Sequence, residues 1–335
     1  MKLLVISCSV VCFTLLGSSS PAQSIQKEAE ALMDRARQLS DIRSGNAPAF
    51  RLKATFSFIG SDLETVQGTY TEVWTSSSQW RRETVVNNLR RIDVGSPTRH
   101  WLLDSVKDFP EQAARVTGLM ELLPPSSANF EFESVVEHAE PEPVAQCAIT
   151  KRDAAHTVRA FCFDKKSGLL LGRISPEVRP RNVVDYSCSY GTFQKFGKYW
   201  FPREMACFVD RHRQIEAKVS ELEPEPSPDR ALFTPPAGAI ELGRCPVDPL
   251  PPRVVSTPMV IFPLGVRREV SQVMVWLVVD TKGKPQDAKV VRPSDKSLDE
   301  MALRAVRDWR FKPATCNGEP MPMPISVEVS SLSSR

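Results

Sequence analysis

After residue 50 the apolar side chains of this chain stop recurring every three to four residues and begin to alternate. Leu52, Ala54, Phe56 and Phe58 are interleaved with Arg51, Lys53, Thr55 and Ser57. Side chains point to opposite sides of a β-strand in turn, so this alternation describes strands with one buried and one wet face. The pattern returns in Thr69–Thr75, Gln79–Val86 and Leu89–Val94, with the turn-forming pair Asn87-Asn88 between the last two. It continues in Phe130–Val136, Val144–Lys151, His156–Lys165, Leu169–Ile174, Val183–Phe193, Tyr199–Val209 and Gln214–Leu222. Ser167-Gly168 and Gly197-Lys198 mark further hairpins. So many short connections between strands predict an antiparallel meander.

Two stretches keep a helical period. Ile25, Ala29, Leu32, Met33, Ala36, Leu39 and Ile42 form one stripe, with Ser24 as the expected N-cap. A second helix is expected over Pro110–Leu123, started by a first-turn proline and stopped by Pro124-Pro125. The expected fold class is therefore α+β. Residues 23–238 form a long, curved antiparallel sheet with helices on one face. Phe56, Phe58, Tyr70, Trp74, Trp80, Phe130, Phe132, Phe161, Phe163, Tyr186 and Phe193 all fall on its strands. They are either a packed core or the lining of a hydrophobic ligand cavity.

Residues 239–252 include "ELGRCPVDPLPP" and read as a proline-rich linker. Beyond it, over 253–335, the expected order is β-β-α-β. Val270–Asp280 and Gln286–Arg292 flank a turn at Thr281–Lys284, where Gly283 suits a positive φ. Leu298, Met301, Ala302, Ala305 and Val306 make a helical stripe, capped by Ser294 or Ser297. Met323, Ile325, Val327 and Val329 lie on one face of a last strand, with Ser326, Glu328 and Ser330 on the other. The helix and the sheet face are each apolar on one side only, so one covers the other.

Lys2 followed by the apolar run Leu3–Gly17 and by Ser20-Pro21-Ala22 reads as a secretory signal, residues 1–22, cut before Gln23. If it stays uncleaved it is a membrane anchor. The expected location is the periplasm. Eight cysteines then become six, an even set that suits disulfides in an oxidising compartment. Proximity and strand pattern pair Cys147 with Cys162, Cys188 with Cys207 and Cys245 with Cys316, one among many connectivities. There is no CxxC. A net charge of +3 argues against nucleic acid as the main partner.

No HExxH, Gly-x-Ser-x-Gly, P-loop or GxGxxG occurs, and His100, His138, His156 and His212 are scattered. No catalytic residue, metal or cofactor is expected.

Two resemblances add to this reading. The run "VVDTKGKPQDAKVVRPSDKSLDEMALRAVRDWRFKPATCNGEPMPMPISVEV" resembles the TonB C-terminal domain. Gly283 matches the hairpin glycine, and Leu298 with Ala302 match the helix start. Trp309, Phe311 and Pro313 match the helix exit, and Gly318 matches the final turn. The resemblance implies a partner-binding edge formed by Met323, Ile325, Ser326, Val327, Glu328 and Val329. The implied partner is an extended segment of an outer-membrane β-barrel transporter or another envelope protein, or a second copy in a homodimer. Two departures set energy transduction apart from this implication. A cleavable signal and a globular domain replace the membrane helix and long spacer, and the family's final aromatic residue is missing from "SSLSSR". The order of residues 25–237, with "FGKYWFPREMACFVD" and "VSELEP", resembles the periplasmic lipoprotein-carrier fold of the LolA/LolB type. That resemblance implies an acyl-chain ligand inside the sheet, with the C-terminal domain serving only for docking.

Overall fold

A computed structural model describes residues 21–60, 64–95, 99–104, 109–124, 130–139, 143–152, 158–178, 183–209, 212–243, 245, 250–258, 272–290, 296–316 and 318–330. Residues 1–20 of the expected signal segment, Ser294 and His156 lie outside them, and its last two residues begin the first helix.

Helix α1 (Pro21–Ser40) begins at its proline, so Ser24 lies inside the helix and is not its cap. Proline suits a first turn because its missing N–H has no partner there anyway. The helix buries Ala29, Met33 and Ala36 against the sheet. Strands β1 (Phe50–Ile59), β2 (Thr65–Ser76), β3 (Gln79–Val86), β4 (Leu89–Gly95) and β5 (Arg99–Asp104) follow as a meander. The helix expected over Pro110–Leu123 is two short pieces, α2 (Glu111–Ala114) and α3 (Val116–Met120), broken at Arg115.

A second meander runs through β6 (Phe132–His138), β7 (Ala145–Thr150), β8 (Ala160–Asp164), β9 (Leu170–Val178), β10 (Val183–Phe196), β11 (Tyr199–Val209) and β12 (His212–Pro224). The two meanders join where β1 pairs with β12, from Phe50 opposite Pro224 to Phe58 opposite Ile215. One turn of 3₁₀ helix (Arg230–Phe233) leads to β13 (Ile240–Gly243), which pairs with β5. The result is a sheet of 13 antiparallel strands in the order β13-β5-β4-β3-β2-β1-β12-β11-β10-β9-β8-β7-β6. The expected linker therefore contributes an edge strand. Leu242 is buried by joining the sheet, and the prolines of the expected linker begin only after it, at Pro246.

The remaining strands form smaller sheets. β14 (Arg253–Ser256) pairs with β17 (Arg310–Lys312), and β18 (Ala314–Cys316) pairs with β19 (Glu319–Met321). β15 (Gln272–Val279), β16 (Pro285–Val290) and β20 (Met323–Ser330) make a sheet in the order β16-β15-β20. Helix α4 (Lys296–Arg307) lies on one face of it, with Leu298, Ala302 and Val306 buried against Val273, Val275, Leu277 and Val279. No helix among the described residues is long and apolar enough to cross a membrane.

Candidate functional site

β20 is hydrogen-bonded on one side, to β15, with Met323 opposite Val279 and Ser330 opposite Gln272. Among the described residues no strand pairs with its other side. An open edge presents backbone donors and acceptors that an extended segment can use as the next strand. Ile325, Val327 and Val329 are packed into the α4 cluster, and Val329 is fully buried. Ser326 is exposed and Glu328 half-buried, on the opposite face. The edge can therefore offer its main chain and its polar face, while the apolar face is already used. Pro324 carries no N–H, so the edge lacks a donor at that position.

The residues around this edge hold it in place. Gly283 turns β15 into β16 at φ +75°, and its carbonyl accepts from the N–H of Phe311 at 2.9 Å. A Cβ at Gly283 would lie 1.8 Å from the Phe311 oxygen, so no other residue fits without movement. Trp309 and Phe311 are buried in the α4 cluster with ring centroids 6.2 Å apart. They close the end of the helix onto the sheet. Pro313 is half-buried between β17 and β18, and Gly318 turns β18 into β19 at φ +90°.

A feature missed in the sequence is the seam between the large sheet and the β15 sheet. The face of β15 turned away from α4 carries Trp276 and Val278, which meet Leu102 of β5 and Ile240 and Leu242 of β13. Each fully buried aliphatic side chain contributes about 1.5–3 kcal/mol relative to exposure. Beside this cluster the Asp104 carboxylate accepts from both Nε and Nη2 of Arg91, at 2.7 and 2.9 Å, and from Lys289 Nζ at 3.1 Å. Burial alone would raise the Asp104 carboxyl, but its bonds to Arg91 and the charges of Arg91 and Lys289 hold it below the usual range. The N–H of Gly243 donates to Pro322 O at 2.9 Å, just ahead of β20. Gly243 sits so close to Met321 and Pro322 that a side chain there would collide with both. Leu250 and Thr315 exchange two backbone bonds, at 3.0 and 3.1 Å. The Cys245–Cys316 disulfide lies beside them. The other two disulfides, Cys147–Cys162 and Cys188–Cys207, join directly opposite residues of β7–β8 and β10–β11.

Inside the large sheet the aromatic residues form a packed cluster with α1. Phe56, Phe58, Tyr70, Trp74, Phe132, Phe161 and Phe163 are all buried in it. At one end of the cluster lies a buried charged group. Glu72 has no exposed side-chain surface. It accepts from Arg43 through both oxygens, from Arg82 Nε at 3.1 Å and from Tyr70 Oη at 3.1 Å. Burial pushes its carboxyl up, but the charges and bonds of Arg43 and Arg82 outweigh that and lower it to about 2. Arg82 also pairs with Glu121 at 2.7 Å and stacks over Trp80. A cavity of about 470 Å³ opens beside this group, lined by Arg37, Ser40, Arg43, Trp74, Trp80 and Arg82 among others. Among the described residues no group of three or more His, Cys, Asp or Glu side chains could hold a metal ion.

Comparison with known proteins bears on both halves. No curated protein matches the chain. Among solved structures, a domain of the outer-membrane lipoprotein-sorting type from Vibrio parahaemolyticus is similar to the N-terminal part. It is 11% identical with a TM-score of 0.41, covering 62% of this chain and 97% of that one. A LolA superfamily protein from Nitrosomonas europaea is 9% identical with a TM-score of 0.40, at 62% and 97% coverage. A DUF1329 family protein from Desulfovibrio piger is 9% identical with a TM-score of 0.41, at 64% and 98% coverage. Residues 266–330, which hold the β15 sheet, α4 and the open edge of β20, match the family model of the Gram-negative bacterial TonB protein C-terminal, and over those residues the chain carries a domain of that family.

Proposed function

We propose that this protein is an envelope adaptor of the TonB type, which captures an extended segment of an outer-membrane transporter by adding it as a strand to β20. One observation carries the reading: within a domain of this family, β20 is the outer strand of its sheet and, among the described residues, pairs on one side only. The partner would bond to the main chain of β20, with Ser326 and Glu328 meeting its side chains. The apolar face of β20 is turned to α4, so selection of the partner falls to the polar face and the backbone. On this reading the protein works in the periplasm, and the large sheet is a rigid body that holds the edge in position.

The test is photocrosslinking in cells from a probe at Ser326 or Glu328. The expected product is a crosslink to an outer-membrane β-barrel protein. A crosslink to a second copy of this chain would replace the adaptor with a homodimer joined at β20. No crosslink from folded protein, with lipid co-purifying with the chain, would move the function to acyl-chain carriage by the large sheet.

A further inference from the structure

On the short sheet formed by β14 and β17, like charges stand directly opposite each other. Arg253 faces Lys312 across the ladder, and Ser256 faces Arg310. Phe311 points inward and is buried, so its neighbours Arg310 and Lys312 point outward, and both are exposed. Like charges opposite each other on one face of a sheet repel and destabilise the pair. The other side of β17 is bordered by the turn at 281–284, through the bond from Phe311 N to Gly283 O. That turn adds Lys282 and Lys284, both exposed.

No carboxylate of the described residues relieves these charges by an ion pair. Asp280 is near, but its carboxylate accepts from the backbone N–H groups of Lys282 and Lys284, at 2.8 Å each, and from Gln286 at 3.2 Å. The Arg310 guanidinium is held by the carbonyls of Trp309 and Arg307, at 2.7 and 3.3 Å, which fix its place and leave its charge unbalanced. Asp308 is exposed beside Arg307 and Trp309. Five cations thus gather around one small sheet.

Exposed aliphatic side chains lie along the same segment. Val255, at the bulge between Val254 and Ser256, is 69% exposed and Leu250 66%. A soluble anion would balance the charges and gain nothing from these two. A bilayer surface rewards both, since the aliphatic groups enter the interface while the cations meet lipid phosphates.

We infer that the β14–β17 face is a docking surface for an anionic phospholipid bilayer. It is distinct from the open edge of β20 and does not depend on what that edge binds. Lipid phosphates would sit over Arg253, Arg310 and Lys312, with Lys282 and Lys284 at the margin and Val255, at the bulge between Val254 and Ser256, entering the interface.

The test uses the full chain with an environment-sensitive fluorescent amino acid in place of Val255, so that the signal comes from this face alone. It is titrated with vesicles of phosphatidylcholine and phosphatidylglycerol at three to one, and with vesicles of phosphatidylcholine only. The expected result is a blue shift with the anionic vesicles that is absent with the neutral ones and disappears at high salt. Each basic side chain near such a surface changes partitioning about fivefold, so combining Arg253→Gln, Arg310→Gln and Lys312→Gln should weaken it about a hundredfold. Circular dichroism checks that the triple variant is folded. If it is not, the salt dependence of the unsubstituted face decides. The inference is overturned by no shift with anionic vesicles, by a folded triple variant that binds equally well, or by an equal response to soluble polyphosphate, which would make the face a polyanion site.

Discussion

Replacing Glu72 by Gln keeps the volume of the side chain and removes its charge. Arg43 and Arg82, whose side chains are only 15% and 11% exposed, are then left facing each other without their shared counter-ion. Two routes give the cost. A carboxyl that falls from 4.5 in the unfolded chain to about 2 in the folded one contributes about 3 kcal/mol at neutral pH. Removing one partner from a buried ion pair typically costs about 3–5 kcal/mol. The expected loss is therefore about 3–5 kcal/mol, a large part of an ordinary domain's stability. Urea unfolding at pH 7 measures it. Because the folded-state value is depressed, the contribution is fully present above the unfolded value and is lost as pH falls from 4.5 toward 2. The Gln variant should lack that component of acid sensitivity. Replacing Glu72, Arg43 and Arg82 together by Met should restore much of the stability, since no buried charge is left unpaired. A Gln variant within about 1 kcal/mol of the parent, with the same acid profile, would refute the reasoning.

Gly283→Ala forces a side chain into a left-handed turn and against the Phe311 carbonyl, so it should cost at least about 2 kcal/mol in urea unfolding. An unchanged midpoint would mean that the turn is looser than described. The Cys245–Cys316 bond spans 71 residues against 15 for Cys147–Cys162. Loop entropy then predicts that paired Ser substitution costs about 4 kcal/mol for the first and about 3 for the second, and the reverse order would count against it. Asp104→Asn should weaken the seam, seen as faster amide exchange in β13 and β15 with β7 and β8 unaffected. In the unsubstituted protein the Asp104 contribution is present above 3.8, and protection at the seam, taken relative to the intrinsic exchange rate at each pH, should fall as pH drops through the lowered value.

Period explains which parts of this fold could be read from the residues. Leu52 to Phe58 alternate because one side of β1 is buried, and the structure buries those four residues together with Phe50. Leu298, Ala302 and Val306 recur helically because α4 has one covered face. The cysteine pairs were legible because hairpin neighbours such as Cys147 and Cys162 fall opposite each other once the turn is placed. Ile240–Gly243 was not legible as a strand. Four residues are too few to show a period, and the nearby prolines suggested a linker. The seam was hidden for a related reason. Trp276 and Val278 alternate with core residues in β15 as polar residues normally would, and only the fold shows that Leu102 and Leu242 cover them. Glu72 was hidden among ordinary strand residues. A buried carboxylate is recognisable only when its partners are known, and Arg43 and Arg82 come from other elements. The open edge of β20 is visible in sequence only through the family pattern, since strand order is a property of the whole sheet.

The Cys245–Cys316 bond also decides how tension would travel. A partner pulling on β20 loads the chain just after Cys316, and the disulfide passes that load to Cys245, two residues beyond β13. β13 is bonded along its length to β5, within the large sheet. This covalent route bypasses α4, β15 and β16. A pull on β20 thus has two routes, the ladder to β15 and the covalent path to the thirteen-strand sheet, and breaking this one bond would remove the second.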